Sequence, residues 1–472
     1  MSFSQESSLL SDHLVARNDG TMELLLDMRP SCNVADFVEA LRSCSHHISS
    51  VHVHKLFLKN LSEKEESDIF DCLHNLREIH ASFVSLPVRL LANMMLRSSK
   101  HLQVLSLDRI VLLSSDDNSQ DDAIFFSALQ GLEALQDFHF SLSTTAIAPE
   151  GQKLFFQVGD EFDTLFQSLS GIQTLKKIYA SIGQNFAHNS DIQPQTLESL
   201  LHNSSVTDIT LVHFPLHKEH CQAIVSSNVS LDSLSLVKAN LGDEGVSILA
   251  DSLAKKGLSF LRTLSLPGNK LTDVGGAKIT RALSNKTSLA VLDLHANQFT
   301  HKFGLELAHM LTNNQTVTFV DLSSNQLKDS GVKPIVSALH NNTTLKQINL
   351  FDTALTNRSC EAFASLLRVN TTLKRLNLYN NEKMDSKGVD ALAEALKHDN
   401  YDLERLEISK TNKGASALDM YLRLNREYGR REMLSQLETK EVEYVNGIHE
   451  AVAKNDLSSI YFFLQAKPSL CC

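Results

Sequence analysis

Two histidines in the N-terminal part of the chain are the first residues whose spacing suggests chemistry. His52 and His54 alternate with valines in the segment Val51–His54, and alternate side chains of a strand lie on the same face. Imidazole nitrogens are common zinc ligands, so the pair could contribute to a metal site. The sequence places no third ligand beside them, and an exposed polar ladder on a sheet explains them without a metal.

Other motifs with chemical potential are incomplete. His217-Lys218-Glu219 has the H-x-E pattern of zinc deaminases, but no P-C-x-x-C segment follows, so we interpret it as a polar turn before a helix. The acidic stretch Asp116–Asp122 lacks the glycine and terminal glutamate of a calcium loop and is predicted to be an exposed loop. Gly275-Gly276 lacks the lysine of a phosphate-binding loop and is interpreted as the start of a helix. No nucleophile and base can be paired from sequence order, so we expect no enzyme, no cofactor and no metal-binding set.

A recurring apolar triplet is the dominant pattern of the chain. The strands and helices that carry this triplet must position any functional residues. The triplet occupies positions 1, 4 and 6 of successive units whose starts are separated by 30, 28, 28, 28, 28 and 30 residues. The first members of the triplets are Leu231, Leu261, Leu289, Val317, Leu345, Leu373 and Leu403. A fixed period of this length is typical of a solenoid, in which each unit buries its apolar side against its neighbours.

Each unit is predicted to run from strand to turn to helix. The triplet points inward from the strand, and the helix carries apolar residues at three- and four-residue spacing, as expected for one buried stripe. An asparagine can both donate and accept hydrogen bonds, so it can satisfy the backbone of a tight turn. Position 9 is such an asparagine in four units: Asn269, Asn297, Asn325 and Asn381.

Two further polar positions recur in the units. The aspartates at the predicted helix starts are expected to act as N-caps, and they are Asp243, Asp273, Asp329 and Asp385. Four N-x-S/T asparagines fall at one phase of the repeat, where they are interpreted as turn residues rather than glycan acceptors: Asn285, Asn314, Asn342 and Asn370.

The combined pattern L-x-x-L-x-L-x-x-N-x-L, followed by D-x-x-G-[VA]-x-x-[LI]-x-x-[AS]-L, resembles leucine-rich repeats of the ribonuclease-inhibitor class. One unit departs from it, with Val317 and Val320 in place of leucines. The resemblance implies an α/β horseshoe solenoid with a parallel sheet on its concave face and helices on its convex face. Families with similar repeats include ribonuclease inhibitor, NOD-like receptors, Ran GTPase-activating proteins, actin-regulating scaffolds and effectors of intracellular bacteria.

The repeats divide the chain into four parts. Residues 1–20 are interpreted as a lead-in, and 21–230 as irregular leucine-rich repeats with strand signatures 23 to 40 residues apart. Residues 231–410 are the regular repeats. Residues 411–472 are predicted to form a helical cap and a tail that contains an ankyrin-like fragment, and for 440–472 a docking hairpin, a translocation signal and a vestigial ankyrin repeat all remain open.

Side chains at positions 3, 5 and 7 of each regular unit point away from the core. Neighbouring strands lie about 4.8 Å apart, so these side chains form ladders across the sheet. Exposed aromatic residues beside an arginine are typical of interface hot spots, although a merely solvated ladder would look similar. The predicted protein-binding residues are Asp293, His295, Phe319, Asp321, Asn349, Phe351, Arg375, Asn377 and Tyr379.

Composition narrows the class of partner and the compartment. The net charge of −11 argues against nucleic acid and anionic membranes as targets. The seven scattered cysteines suggest a reducing compartment, and no run of about 18 apolar residues predicts membrane insertion. We therefore expect a cytoplasmic protein, or alternatively one secreted by a bacterium into the cytoplasm of a host cell.

The function that best fits these features is a protein-interaction scaffold that binds a protein partner through the concave face. The alternative is a regulator of a small GTPase or an inhibitor of an enzyme, by likeness to Ran GTPase-activating proteins, although their long acidic tail is missing. A glutamate-bearing tail also allows an effector of an intracellular bacterium, whereas two solvated amphipathic helices would explain the same tail.

Overall fold

A computed structural model describes most of the chain up to residue 428. The chain divides into two compact units, Met1–Thr263 and Leu264–Cys472, which we call unit 1 and unit 2. The described residues are 14–18, 22–26, 38–39, 41–43, 45–54, 63–115, 119–142, 152–156, 159–183, 192–203, 205–227, 230–254, 258, 260–284, 288–409 and 415–428.

Short strands alternate with helices along the described chain. The strands of unit 1 are β1 (Leu14–Ala16), β2 (Met22–Leu26), β3 (Ile48–His54), β4 (Glu78–Ser82), β5 (Ser85–Pro87), β6 (Val104–Ser115), β7 (Asp137–Leu142), β8 (Gln152–Leu154), β9 (Lys177–Ser181), β10 (Asp208–Val212) and β11 (Ser233–Val237). Strand β12 (Thr263–Ser265) lies at the division. The strands of unit 2 are β13 (Val291–Asp293), β14 (Phe319–Asp321), β15 (Gln347–Asn349), β16 (Arg375–Asn377) and β17 (Arg405–Glu407).

The helices follow the strands in the order that the repeat predicts. Those of unit 1 are α1 (Glu63–Asp71), α2 (Val88–Arg97), α3 (Ser119–Gln130), α4 (Gly159–Ser170), α5 (Pro194–Asn203), α6 (Lys218–Ser226) and α7 (Gly242–Ala254), with a short 3-10 helix at Ser45–His47. Those of unit 2 are α8 (Asp273–Leu283), α9 (His301–Asn313), α10 (Lys328–Leu339), α11 (Asn357–Leu367), α12 (Ser386–His398) and α13 (Ala415–Tyr428).

The sheet of unit 1 is mostly parallel. Its strands pair in the order β2, β3, β4, β6, β7, β9, β10 and β11, with β1 antiparallel to β2. The long strand β6 also pairs with β5 in parallel and with β8 antiparallel, which accommodates the irregular spacing of the sequence in this part. The segment after β8 contributes Phe155 and Phe156 to a buried aromatic cluster with Phe125 and Phe140.

Unit 2 is a regular α/β solenoid. Strands β13 to β17 pair in parallel without register shifts, so equivalent repeat positions are direct neighbours. The residues at position 4 are fully buried in β13, β14 and β15, and so are the apolar residues of the helices that face them, such as Phe303 and Val332. The leucine-rich-repeat solenoid predicted from the sequence is confirmed.

The predicted helix caps are only partly correct. Asp385 caps α12, where its side chain accepts a hydrogen bond from Lys387 N. Helices α8, α9 and α11 are capped by the preceding threonines, Thr272, Thr300 and Thr356. Asp273 and Asp329 lie inside the first helical turn instead, and their carboxylates accept hydrogen bonds from the threonine cap of the next repeat.

The prediction of an exposed acidic loop at Asp116–Asp122 is wrong for its last part. Strand β6 continues to Ser115, and α3 begins at Ser119. Asp121 is only 1% exposed, since it forms an ion pair with Arg89 and accepts a hydrogen bond from Ser114.

The described part of the C-terminal cap is the helix that the sequence predicts. Helix α13 buries Leu418, Tyr421 and Leu422 and exposes Arg423 and Arg426. The predicted tail helix and ankyrin-like fragment lie outside the described residues. Across the described helices, none combines the length and the apolar character that a membrane-spanning segment requires.

Candidate functional site

The parallel register of unit 2 brings the predicted binding residues onto one face of the sheet, which we call the ladder face. Position 3 forms one row across the strands, in which Phe319 lies two strands from Arg375. Position 5 forms a second row, which contains Asp293, Asp321, Asn349, Asn377 and Glu407. His295, Phe351 and Tyr379 follow two residues after their strands. The nine predicted residues therefore share one surface.

The position 5 side chains shape the turns that follow them. Asp293 Oδ1 accepts hydrogen bonds from both the backbone N and Nδ1 of His295, at 3.1 and 2.7 Å. Asn349 Oδ1 accepts from Phe351 N at 3.1 Å, and Asn377 Oδ1 from Tyr379 N at 2.9 Å. This local side-chain to backbone bond fixes the direction in which the position 7 residue leaves the strand.

Hydrogen bonds also run between neighbouring strands. Ser265 donates to Asp293 at 2.8 Å, and Asn349 Nδ2 donates to Asp321 at 2.7 Å. Burial acts to raise the pKa of Asp293, but the hydrogen bonds from His295 and Ser265 outweigh burial and hold that pKa below its usual value. Asp293 is therefore a carboxylate at neutral pH, held in one orientation by its neighbours.

An aromatic pair stands at the other side of the ladder face. The rings of Phe351 and Tyr379 are stacked, with centroids 5.9 Å apart and planes 10° from parallel. Tyr379 remains 48% exposed, whereas Phe351 and Phe319 are partly buried. Stacked rings on adjacent strands form a rigid apolar platform that can contact a partner.

The two arginines of position 3 differ in their surroundings. Arg405 pairs with Glu407, at 2.8 Å between Nε and Oε1. Arg375 is exposed and has no ion-pair partner among the described residues. Its guanidinium is thus available to bind a carboxylate from outside the chain.

A groove beside the ladder face was not predicted from the sequence. It lies between β17 and α13, has a volume of roughly 660 Å³, and is lined among others by Tyr379, Leu406, Leu422 and Arg426. No local pattern signals such a groove, because it exists only where the capping helix packs beside the last strand.

The sheet of unit 1 carries a separate row of aromatic and histidine side chains. Of this row, only His52 was predicted from the sequence as a candidate functional residue. His52, His80, His139 and Tyr179 occupy one row of the register. His52 stacks on His80 at 4.2 Å and His139 on Tyr179 at 4.1 Å between ring centroids. The alternation of histidine with apolar residues in β3, β4 and β7 was the available signal. The side chain of His54 lies outside the described residues.

Acidic residues surround this histidine row. His52 Nε2 lies 3.0 Å from Glu23, and burial lowers the pKa of His52. Hydrogen bonding to Arg17 holds the pKa of Glu78 at about 2, against the opposing effect of burial. The row is therefore a polar surface in which carboxylates lie close to the imidazoles of His52 and His80.

Among the described residues, one group of three side chains has donor atoms close enough to one another to bind a single metal ion. Asp293, His295 and Asp321 each place one donor atom within 4.8 Å of the others. All three were predicted as protein-binding residues, and their convergence depends on the parallel pairing of β13 with β14.

Comparison with known families agrees with this architecture. A family model described as Leucine Rich repeat matches residues 257–279, 313–336 and 369–393. The chain carries leucine-rich repeats. The matched segments fall within the stretch in which strand, turn and helix recur at the 28- to 30-residue period.

Two solved structures are similar to this leucine-rich-repeat chain at low sequence identity. "Leiomodin-1 Actin-Binding Site 2 (ABS2)" is 18% identical, with 35% of this chain and 96% of that chain covered and a TM-score of 0.30. "Crystal structure of Rad7 and Elc1 complex in yeast" is 16% identical, with 80% and 86% covered and a TM-score of 0.44. No curated protein matches the sequence. The repeat assignment therefore stands on the family model and on the fold itself.

Proposed function

We propose that the protein is a non-catalytic scaffold that binds another protein through the ladder face of unit 2. The observation that carries this proposal is the stacked Phe351–Tyr379 pair on the same face of the sheet as Arg375, and Arg375 has no ion-pair partner among the described residues. Aromatic and arginine side chains are enriched among the residues that dominate interface energies. The face also meets the need for a rigid surface, because its polar side chains are already hydrogen-bonded to neighbouring side chains and backbone N–H groups.

The ladder face has a charge pattern that selects a partner. Two carboxylates, Asp293 and Asp321, lie on one side, and Arg375 lies on the other. A partner with an acidic side chain next to an apolar one would match the Arg375 side. Complementary charges of this kind mainly set specificity and association rate.

The proposal is tested by alanine substitution of the aromatic pair. A partner is identified by cross-linking and mass spectrometry, and its Kd is then measured with purified components. Phe351→Ala and Tyr379→Ala should each weaken binding about tenfold or more, as truncation of hot-spot residues does. Leu305→Ala is the matched control, because Leu305 is 64% exposed but lies on helix α9. Equal Kd values for all variants would remove the ladder face as the binding surface.

Within this proposal we assign the repeats to the ribonuclease-inhibitor class. The support is the 28-residue period with a full helix of 11 to 13 residues in each repeat from α8 to α12. A cytoplasmic location is supported by free, buried thiols at Cys72, Cys221 and Cys360. The alternative function is regulation of a small GTPase or inhibition of an enzyme, and acceleration of GTP hydrolysis by the purified protein would distinguish GTPase regulation from simple capture.

A further inference from the structure

Asp293 and Asp321 bring two negative charges together on adjacent strands of unit 2. Their residues are direct neighbours in the register of β13 and β14. Among the described residues, no lysine or arginine pairs with either carboxylate, and the group that pairs with Asp293 is the imidazole of His295. The two like charges are therefore left without a permanent positive charge between them.

The same row shows that a carboxylate is not needed for the fold at this position. The next two strands carry Asn349 and Asn377, whose Oδ1 atoms accept the same turn hydrogen bond as the aspartates. Asp321 makes that bond to Ser323 N at 2.8 Å. The negative charge is thus an addition to the structural role, and on β13 and β14 it lies close to His295.

The hydrogen bonds around these carboxylates hold each of them in one orientation. Oδ1 of Asp321 accepts bonds from Ser323 N and Oγ, whereas its Oδ2 accepts one bond, from Asn349. Oδ2 of Asp293 likewise accepts one bond, from Ser265. A carboxylate oxygen has two lone pairs, so each Oδ2 accepts one hydrogen bond fewer from the described residues than it could. Neighbours that fix a ligand oxygen in this way are typical around metal sites.

From this geometry we propose that Asp293, His295 and Asp321 bind a divalent transition-metal ion of the Zn²⁺ type. Their donors lie within 4.8 Å of one another, and an ion about 2.0–2.2 Å from each of them would take the place of the proton that His295 Nδ1 shares with Asp293 Oδ1. Two carboxylates and one imidazole form a mixed oxygen and nitrogen set that suits zinc better than calcium or magnesium. The ion would neutralise the two carboxylates and join two adjacent repeats, with a water molecule in the remaining position.

The test uses the full-length protein and Zn²⁺ alone, so its outcome does not depend on the partner-binding proposal. Zn²⁺ binding is measured by competition with a chromophoric chelator under reducing conditions. Asp321→Asn and His295→Gln should each lose one tightly bound equivalent, or weaken it more than tenfold. The exposed residues Asp390 and His309 supply the matched controls, and Asp390→Asn and His309→Gln should keep that equivalent.

A second measurement needs no variant and covers the case in which a substitution disturbs folding. Hydrogen exchange of the unchanged protein should slow on Zn²⁺ addition in the peptides that contain residues 291–297 and 319–325. Mg²⁺ and Ca²⁺ at the same concentration should have much smaller effects. Equal Zn²⁺ stoichiometry in all variants, or unchanged exchange in these peptides, would overturn the proposal.

Discussion

At the scale of single residues, Asp329 connects one repeat to the next. Its carboxylate accepts hydrogen bonds from Thr356 N at 2.9 Å, Thr356 Oγ1 at 2.7 Å and Ser359 Oγ at 2.6 Å. Burial acts to raise the pKa of Asp329, but the bonds from Ser359 and Thr356 outweigh it and lower that pKa. The ionised form is thus favoured by folding.

Asp329→Asn should destabilise the protein near neutral pH by about 1–2 kcal/mol, because an amide cannot accept all three bonds. A carboxyl group with a lowered folded pKa stabilises the fold above its unfolded pKa of about 3.8 and loses this effect as the pH falls through the folded value. The difference from the unchanged protein should therefore shrink at about pH 3. Urea unfolding at both pH values measures it, with Asp390→Asn as control, and a gap that stays constant with pH would contradict the assignment.

Recurrent asparagines show how far single residues could be predicted from the sequence. Asn297 and Asn325 hold their turns as expected, each donating to two carbonyl groups of its own turn and to one in the preceding repeat. The sequon residue Asn342 donates to Leu311 O and accepts from Leu345 N, which confirms its turn role. Asp273 was harder to predict, because Thr272, one position earlier, competes for the cap and the two alternatives differ by a single residue.

At the scale of elements, facing glycines determine how closely helices α9 and α10 pack. A Cβ added to Gly304 would lie 2.6 Å from the carbonyl carbon of Gly331, and one added to Gly331 would lie 2.8 Å from His301 Cα. Both obstacles are backbone atoms, so a rotamer change cannot relieve the contact. These glycines therefore allow the backbones of the two helices to approach each other closely.

Gly304→Ala should lower the free energy of unfolding by about 3 kcal/mol, since overpacking against backbone forces the two helices apart. Urea denaturation followed by circular dichroism measures the change. Leu305→Ala on the same helix removes a side chain that is 64% exposed and should change stability by less than about 0.5 kcal/mol. A Gly304→Ala protein as stable as this control would show that the helices can separate at no cost.

The elements of the candidate site were predictable in part. Alternate side chains of a strand point outward, so the nine predicted residues of the ladder face could be named from the sequence. Their partners could not, because the bond between Asn349 and Asp321 spans 28 residues and depends on an unshifted register. The groove beside Tyr379 depends on where α13 lies, which no local pattern specifies.

At the scale of the whole molecule, the regular repeats made the solenoid predictable from the sequence. The triplet period fixes the length of each unit, and burial at positions 1, 4 and 6 follows from it, as for Leu289, Leu292 and Leu294. Unit 1 was harder, since strands β5 and β8 and the paired Asp121 belong to insertions with no repeat partner. In such segments the packing decides the conformation, and the sequence pattern carries little information.

Stacked repeats contact mainly their neighbours, so destabilisation should spread through the repeats of unit 2. The thiol of Cys360 on α11 reports such unfolding. Cys360 is fully buried, and burial raises the pKa of its thiol to about 12. The thiol is therefore unreactive in the folded state. In Gly304→Ala, where the change lies two helices away, Cys360 should become reactive to a thiol reagent at a lower urea concentration. Peptide mass spectrometry follows Cys360 separately from the other cysteines, and Leu305→Ala should leave its midpoint in place. An unchanged midpoint in Gly304→Ala would mean that the α11 repeat unfolds independently of the α9 repeat, in contrast to the cooperative behaviour that stacking predicts.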